Sequence, residues 1–249
     1  MDRENVVQST LPDKNVTEAP RVLVVDDDTS IVRLVSSTME MSGYRVMTAH
    51  SGAEALERIS QQGLPHLAIV DLNMPEMDGF AFCRILQQYA DLPVILLTAV
   101  DQEDVIIQGI EHFAEDYVTK PFSPRELAAR VGRVLRRMGD FAYTLAPVVY
   151  VDAHLSIDFV HQQVRVDGAS VALTPTETKI LFILMRNAGH TVSNDFLISR
   201  IWPRDEIFED TLRVHIHRLR QKIENKAAGI KYVGTDRSIG YRFLVKPQR

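Results

Sequence analysis

The chain has 249 residues, 45% hydrophobic and 24% charged, the balance of a soluble globular protein of one large or two small domains. Its longest uncharged apolar run, residues 92–100, is too short to span a bilayer, and the first twenty residues lack the apolar core of a signal peptide. One cysteine excludes an internal disulfide, and no Cys/His cluster offers a structural zinc site, so a cytoplasmic location is expected. The net charge of -5 hides a division. Residues 1–145 carry 13 Lys and Arg against 22 Asp and Glu, and residues 146–249 carry 15 against 11. An acidic half joined to a basic half suggests a regulatory or metal-binding module tied to one that meets a polyanion.

Residues 1–20 are polar and aperiodic and read as a disordered tail. A regular alternation follows. An apolar, β-branched strand is expected at 21–25 and further strands at 44–48, 67–70, 94–97 and 116–118, separated by helical patterns after residue 28 and at 51–62, 79–89, 101–112 and 123–138. Ser51 before Glu54, and Ser123-Pro124 before Glu126, mark helix starts. Five β-α units in series predict a doubly wound five-stranded parallel sheet, an α/β domain over 21–138.

The pattern changes after a linker placed at 139–147. Four short runs between 148 and 173, with Asp167-Gly168 between two of them, predict an antiparallel meander. Thr174-Pro-Thr-Glu177 opens a helix that stops at Gly189. A second helix starts at Ser193 and a third covers about 210–225, before a closing hairpin of 231–233 and 240–245. The second domain, over 148–246, is therefore α+β.

Ligands of an open parallel sheet bind beyond the carboxyl ends of its strands. There the sequence puts Asp26-Asp27-Asp28 after the first strand, Asp71 after the third, Thr98 after the fourth and Lys120-Pro121 after the fifth. Clustered carboxylates suit a hard cation such as Mg²⁺, which would attract a phosphate donor and leave one carboxylate to attack in line. Lys120 would then pair with the new phosphoryl charge. Cys83 lies within a helix and reads as core.

These residues, with Val70-Asp-Leu-Asn-Met-Pro-Glu-Met-Asp-Gly79, Thr98-Ala99 and Asp116-Tyr-Val-Thr-Lys-Pro-Phe122, closely resemble the flavodoxin-like receiver domain of two-component response regulators. The resemblance implies Asp71 as phosphoacceptor, and Asp26, Asp27, Asp71 and the Asn73 backbone carbonyl as Mg²⁺ ligands. It further implies Lys120 as the phosphoryl partner, Thr98 and Tyr117 as the switch pair, Asp28 as a helix cap and Pro121 as a cis-proline. The chain departs from the family at 104–109, which has no basic residue where one normally crosses a dimer interface, and at His112-Phe113, where a Gly is usual. Glu115, Asp116, Arg125, Arg130 and Arg133 remain to supply part of that interface.

In the basic half, Leu212, Ile216, Leu219 and Ile223 form one narrow stripe of the third helix. The opposite face carries Thr211, Val214, His217, Arg218 and Gln221, with Arg213 and Arg220 on one flank and His215 and Lys222 on the other. Such a face suits the major groove of DNA: Arg218 to guanine, Val214 to a thymine methyl, flanking cations to phosphates. Arg237 at the hairpin tip suits a narrow minor groove.

Leu173-Thr-Pro-Thr-Glu177, Asn187-Ala-Gly189, Ile201-Trp202, Val214-His-Ile-His-Arg-Leu-Arg220 and Gly240-Tyr-Arg-Phe243 resemble the winged-helix effector domain of OmpR/PhoB-type regulators; Ser238 stands where a wing Gly is common. Together the resemblances imply a bacterial transcription factor, not an enzyme beyond its own phosphoryl transfer and dephosphorylation. The implied partners are a cognate histidine kinase, promoter DNA, RNA polymerase at a loop near 203–209, and a second copy on activation. Two rivals are a metal-dependent phosphatase and a DNA-binding regulator that does not respond to phosphate.

Overall fold

The protein is described from a computed structural model covering residues 19–99, 114–138, 146–203, 207–225 and 229–245. The expected tail, the expected helix at 101–112 and most of the expected linker lie outside the described residues.

Five parallel strands form the first sheet: β1 (Arg21–Val25), β2 (Arg45–Ala49), β3 (Leu67–Asp71), β4 (Val94–Ala99) and β5 (Asp116–Lys120), in the order β2-β1-β3-β4-β5. Residues 22–25, 67–70 and 94–97 are buried on both faces, which is why these strands read as continuous apolar runs. Around them lie α1 (Thr29–Met41), α2 (Gly52–Gln62), α3 (Gly79–Tyr89) and α4 (Pro124–Met138). Val22, Val24, Val35, Met39, Leu127 and Val131 make one core layer, so α1 and α4 share a face. Leu23, Val25, Ala55, Ile59, Phe82 and Leu86 belong to the other, under α2 and α3. Asp28, Ser51 and Asp78 cap their helices by accepting from the N–H groups of Ser30, Glu54 and Ala81. Because strand order reverses at β1, the crevice opens above the ends of β1 and β3.

The second part begins with the antiparallel meander β6 (Val149–Tyr150), β7 (Leu155–Asp158), β8 (Gln163–Val166) and β9 (Ala169–Ala172). Asp167 and Gly168 turn its last hairpin with φ of 49° and 84°, the left-handed pair that a tight two-residue turn needs. Next come α5 (Pro175–Arg186), β10 (Val192–Ser193), α6 (Asn194–Ile201), α7 (Glu209–Ile223) and the wing hairpin β11 (Val233–Asp236) and β12 (Gly240–Phe243). The capping box of Thr174 and Glu177 forms in full. Leu212, Ile216, Leu219 and Ile223 are all buried, as the stripe on α7 predicts.

Two details depart from the expected elements. The wing strands cover Val233–Asp236 and Gly240–Phe243 rather than 231–233 and 240–245. The two-residue β10, too short to show a period, pairs with β12 to make a three-stranded sheet. Gly240 permits that pairing, since a Cβ there would sit 1.9 Å from the Val192 carbonyl oxygen.

The two parts meet where α3 packs on α5. At this seam Arg200 of α6 spans two acids: it donates to both carboxylate oxygens of buried Asp91, at 3.1 and 3.0 Å, and lies 2.9 Å from Glu115. Arg186 donates to the Asp91 carbonyl, and Gln162 to that of Gln88. Burial lowers the pKa of Arg186 to about 10 and also depresses Lys179, with Asp91 opposing both shifts.

Candidate functional site

The acidic pocket is built by strand ends. Asp26 follows β1 and is fully buried, Asp71 closes β3 and is nearly so, and Asp27 stands exposed at the rim. The three carboxylates offer oxygen atoms that all lie within 4.8 Å of one another. Lys120, the last residue of β5, reaches between two of them: Nζ is 2.7 Å from Asp26 Oδ2 and 2.9 Å from Asp71 Oδ1. The other Asp26 oxygen accepts the Asp28 N–H, and Asp28 itself caps α1. Lys120 and Pro121 are joined by a cis peptide bond.

Burial raises the Asp71 carboxyl above its ordinary value; Lys120 pulls it back, and the charges of Asp26 and Asp27 add to the rise. Burial works against the Lys120 ammonium, but hydrogen bonds to Asp26 and Asp71 outweigh it and hold its pKa high. One ammonium set among three carboxylates leaves a site short of positive charge. Oxygen donors with a solvent-facing rim fit a hard divalent cation. Asn73, exposed in the loop after β3, is two residues beyond Asp71.

Gly79 brings the start of α3 against this site. A Cβ there would lie 2.4 Å from the Asp71 carbonyl oxygen, and the Gly79 N–H donates to Leu72 O. Thr98 is buried, its hydroxyl donating to the Ala99 carbonyl at 3.2 Å. Tyr117 is 39% exposed. Cys83 is buried in α3, where desolvation pushes its thiol up to about 12, leaving it without thiolate character at neutral pH.

The acids at the start of β5 are occupied within the chain. Asp116 takes Arg130 and Arg133, and Glu115 takes Arg137 as well as Arg200. Arg130 also pairs with Glu126.

On α7, Val214, His217 and Arg218 are exposed and Thr211 is half-buried. Arg213 is exposed and paired with Asp210, an i,i+3 surface pair. The other flanking groups turn inward. His215 packs on Trp202 at a centroid distance of 5.4 Å, and burial followed by the nearby Arg218 charge lowers its pKa. Lys222 pairs with Glu177 at 2.7 Å and donates to the Ala172 carbonyl. Arg220, expected to hold a phosphate, instead donates to Val233 O and to the Thr235 hydroxyl. Helical period assigns a residue to a flank, but a long side chain chooses its partner from whatever strand lies within reach. At the wing tip Arg237 is exposed, and Ser238 takes φ of 63°. That is the left-handed region glycine enters freely, which explains why Gly is the common residue there.

Comparison with known proteins gives the class. Residues 22–132 match the response regulator receiver domain, and residues 168–243 match the C-terminal domain of transcriptional regulatory proteins. The alkaline phosphatase synthesis transcriptional regulatory protein PhoP of Bacillus subtilis is 38% identical over 89% of this chain and 95% of its own length. The probable transcriptional regulator ycf27 of Galdieria sulphuraria is 34% identical over 92% of each chain. Among solved structures, the Thermotoga maritima response regulator DrrB, an OmpR/PhoB homologue, shares 30% identity over 91% of this chain and 99% of its own, with a TM-score of 0.44. The chain belongs to the OmpR/PhoB-type response regulators, the DNA-binding output proteins of two-component systems. Among the described residues, no helix is long and apolar enough to cross a membrane.

Proposed function

We propose that Asp71 accepts a phosphoryl group from a histidine kinase and that this event controls promoter binding through α7 and the wing. The supporting observation is the cluster of Asp26, Asp71 and Lys120, closed behind and open at Asp27. An Asp71 carboxylate oxygen attacks the phosphorus of the kinase's phosphohistidine, and the O–P bond forms as the P–N bond breaks. Asp26, Asp27, Asp71 and the Asn73 carbonyl would hold Mg²⁺, which would supply charge neutralisation for the incoming phosphoryl group. Lys120 exchanges the Asp71 carboxylate for the new phosphoryl oxygens, and the same pocket serves hydrolysis of the acyl phosphate. The Thr98 hydroxyl leaves the Ala99 carbonyl for the phosphoryl group, and the outward Tyr117 ring turns into the space behind it.

Two protomers then associate, and tethering two weak DNA binders raises apparent affinity by ~10²–10⁴ without a new DNA contact. Thr211, Arg213, Val214, His217 and Arg218 face the major groove, with His215 and Arg220 supporting them, and Arg237 enters the minor groove. Phe208, 80% exposed, belongs to the loop proposed to meet RNA polymerase. The receiver spans 21–138 and the effector 148–246 in this reading.

Sizing by light scattering with Mg²⁺ and beryllofluoride, alongside DNA binding of the same samples, tests the proposal. A dimer and tighter DNA binding in the wild type, both lost in Asp71→Asn, are expected. Beryllofluoride binding with neither effect would transfer control to the phosphate-independent alternative.

A further inference from the structure

Arg220 sits on the flank of the DNA-facing side of α7, yet its guanidinium is occupied by the wing. Nε and Nη2 both donate to the Val233 carbonyl, at 3.1 and 2.8 Å, and Nη2 also donates to Thr235 Oγ1 at 2.7 Å. The guanidinium carbon lies 5.7 Å from the centre of the Tyr241 ring. A single side chain of α7 therefore holds both wing strands, β11 by a carbonyl and a hydroxyl, β12 by a ring. The far side of the hairpin is fixed separately, where Asp236 takes Arg242 and the Thr191 hydroxyl and where Gly240 lies against the Val192 backbone. Between these two anchors the tip at Arg237 has a defined place relative to Arg218.

We infer that Arg220 is a positioning residue for DNA recognition, a clamp that sets the spacing of helix and wing so that Arg218 and Arg237 engage the two grooves of a duplex as one unit. This rests on the DNA reading proposed above. Arginine suits this role because its planar fork serves two acceptors and stacks on a ring at once, whereas a lysine would bring the same charge on a single flexible point. A wing released from α7 would have to be ordered during binding, and its contact would lose the advantage of being pre-placed.

The test uses the full chain with Mg²⁺ and beryllofluoride, and duplexes enriched by the wild-type protein from a randomised library. Variants are Arg220→Lys, Thr235→Val, Arg237→Ala, Arg218→Ala and the double variants of Arg237→Ala with the first two, each confirmed as folded by circular dichroism. Arg237→Ala in the wild-type background is expected to weaken binding about tenfold. In the Arg220→Lys background it is expected to cost less than about twofold, because the wing contact is already lost. The slope of log affinity against log salt falls by about one in Arg220→Lys and in Arg237→Ala, and no further in the double variant. Thr235→Val, which alters no charge, moves binding in the same direction by a smaller factor. If Arg220→Lys binds as wild type, the residue is a phosphate contact and the clamp is overturned; equal cost of Arg237→Ala in both backgrounds overturns it as well. If neither Arg218→Ala nor Arg237→Ala changes affinity or base preference, the underlying DNA reading fails and takes the clamp with it.

Discussion

The acidic pocket keeps its carboxylates within 4.8 Å of one another and mostly out of water, whereas α7 spreads its cations along a solvent-facing side. In the pocket, charge is concentrated by burial, and Lys120 offsets only part of what three carboxylates bring. On α7, charge is sorted: Arg218 points outward, while Lys222 and Arg220 are bound to Glu177 and to the wing. A cation count on the helix therefore overstates its outward-facing charge, and an acid count in the receiver understates the crowding there. The pocket holds unsatisfied charge together, whereas α7 separates cations that brace the fold from cations left facing solvent.

Sharpening that contrast starts with Lys222. Its removal leaves the Glu177 carboxylate, 1% exposed, without its cation. Lys222→Ala is expected to cost about 3 kcal/mol of effector stability, read by urea unfolding, with base preference unchanged. Altered base preference at wild-type stability would place Lys222 among the reading cations instead.

His66 offers a bracing group in the receiver. Its Nδ1 accepts the Arg21 N–H at 2.9 Å, which requires the neutral ring, and burial followed by the Arg21 charge lowers its pKa from 6.5 to about 4. The unfolded chain binds that proton at higher pH than the folded one, so stability is lost as pH falls from 6.5 towards 4, by at most about 3 kcal/mol. His66→Asn, which keeps an acceptor but does not titrate, should flatten this part of the pH profile. A profile identical to wild type would assign the loss to other groups.

Arg218→Ala should leave urea unfolding alone and cost ~1–3 kcal/mol of site-specific DNA binding, relaxing preference at one base pair. Base preference measured by library selection decides it, and an unaltered preference would move Arg218 to the phosphate contacts. The smallest effect is expected at Asp71. Because its pKa is raised in the folded pocket, its ionised form opposes folding at neutral pH, so Asp71→Asn should slightly raise the urea midpoint without metal. Added Mg²⁺ should stabilise the wild type more than the variant, narrowing or reversing the order. A lower midpoint for Asp71→Asn would show that the carboxylate's bond to Lys120 outweighs the crowding.

How far the sequence discloses this molecule follows from the same contrast. Asp26 and Asp71 are legible because each ends or follows a short apolar strand, Lys120 because it closes the last strand of the series, and parallel topology alone gathers such ends at one edge. The buried stripe of α7 is legible because helical period fixes the face of every residue. Arg220 is not, since its partners at Val233 and Thr235 belong to a hairpin whose place against α7 is tertiary. Nor is the seam: Arg200 and Asp91 are 109 residues apart and nothing in either neighbourhood marks the other. β10 escapes because two residues carry no period; the one hint is Gly240, whose bare Cα gives room for the backbone of Val192.

Trp202 is the only tryptophan in the chain, and it lies against His215 on α7. All tryptophan emission from the unlabelled protein thus originates one side chain away from α7, the helix proposed to meet DNA, and none of it from the receiver. Duplex binding at α7 would perturb the emitter locally. Loading the acidic pocket would reach it across the seam, where Asp91 and Glu115 meet Arg200 and α3 packs on α5. A spectral shift on adding beryllofluoride, timed against one on adding duplex, would make the chain's own fluorescence a clock for the passage of the signal between its halves.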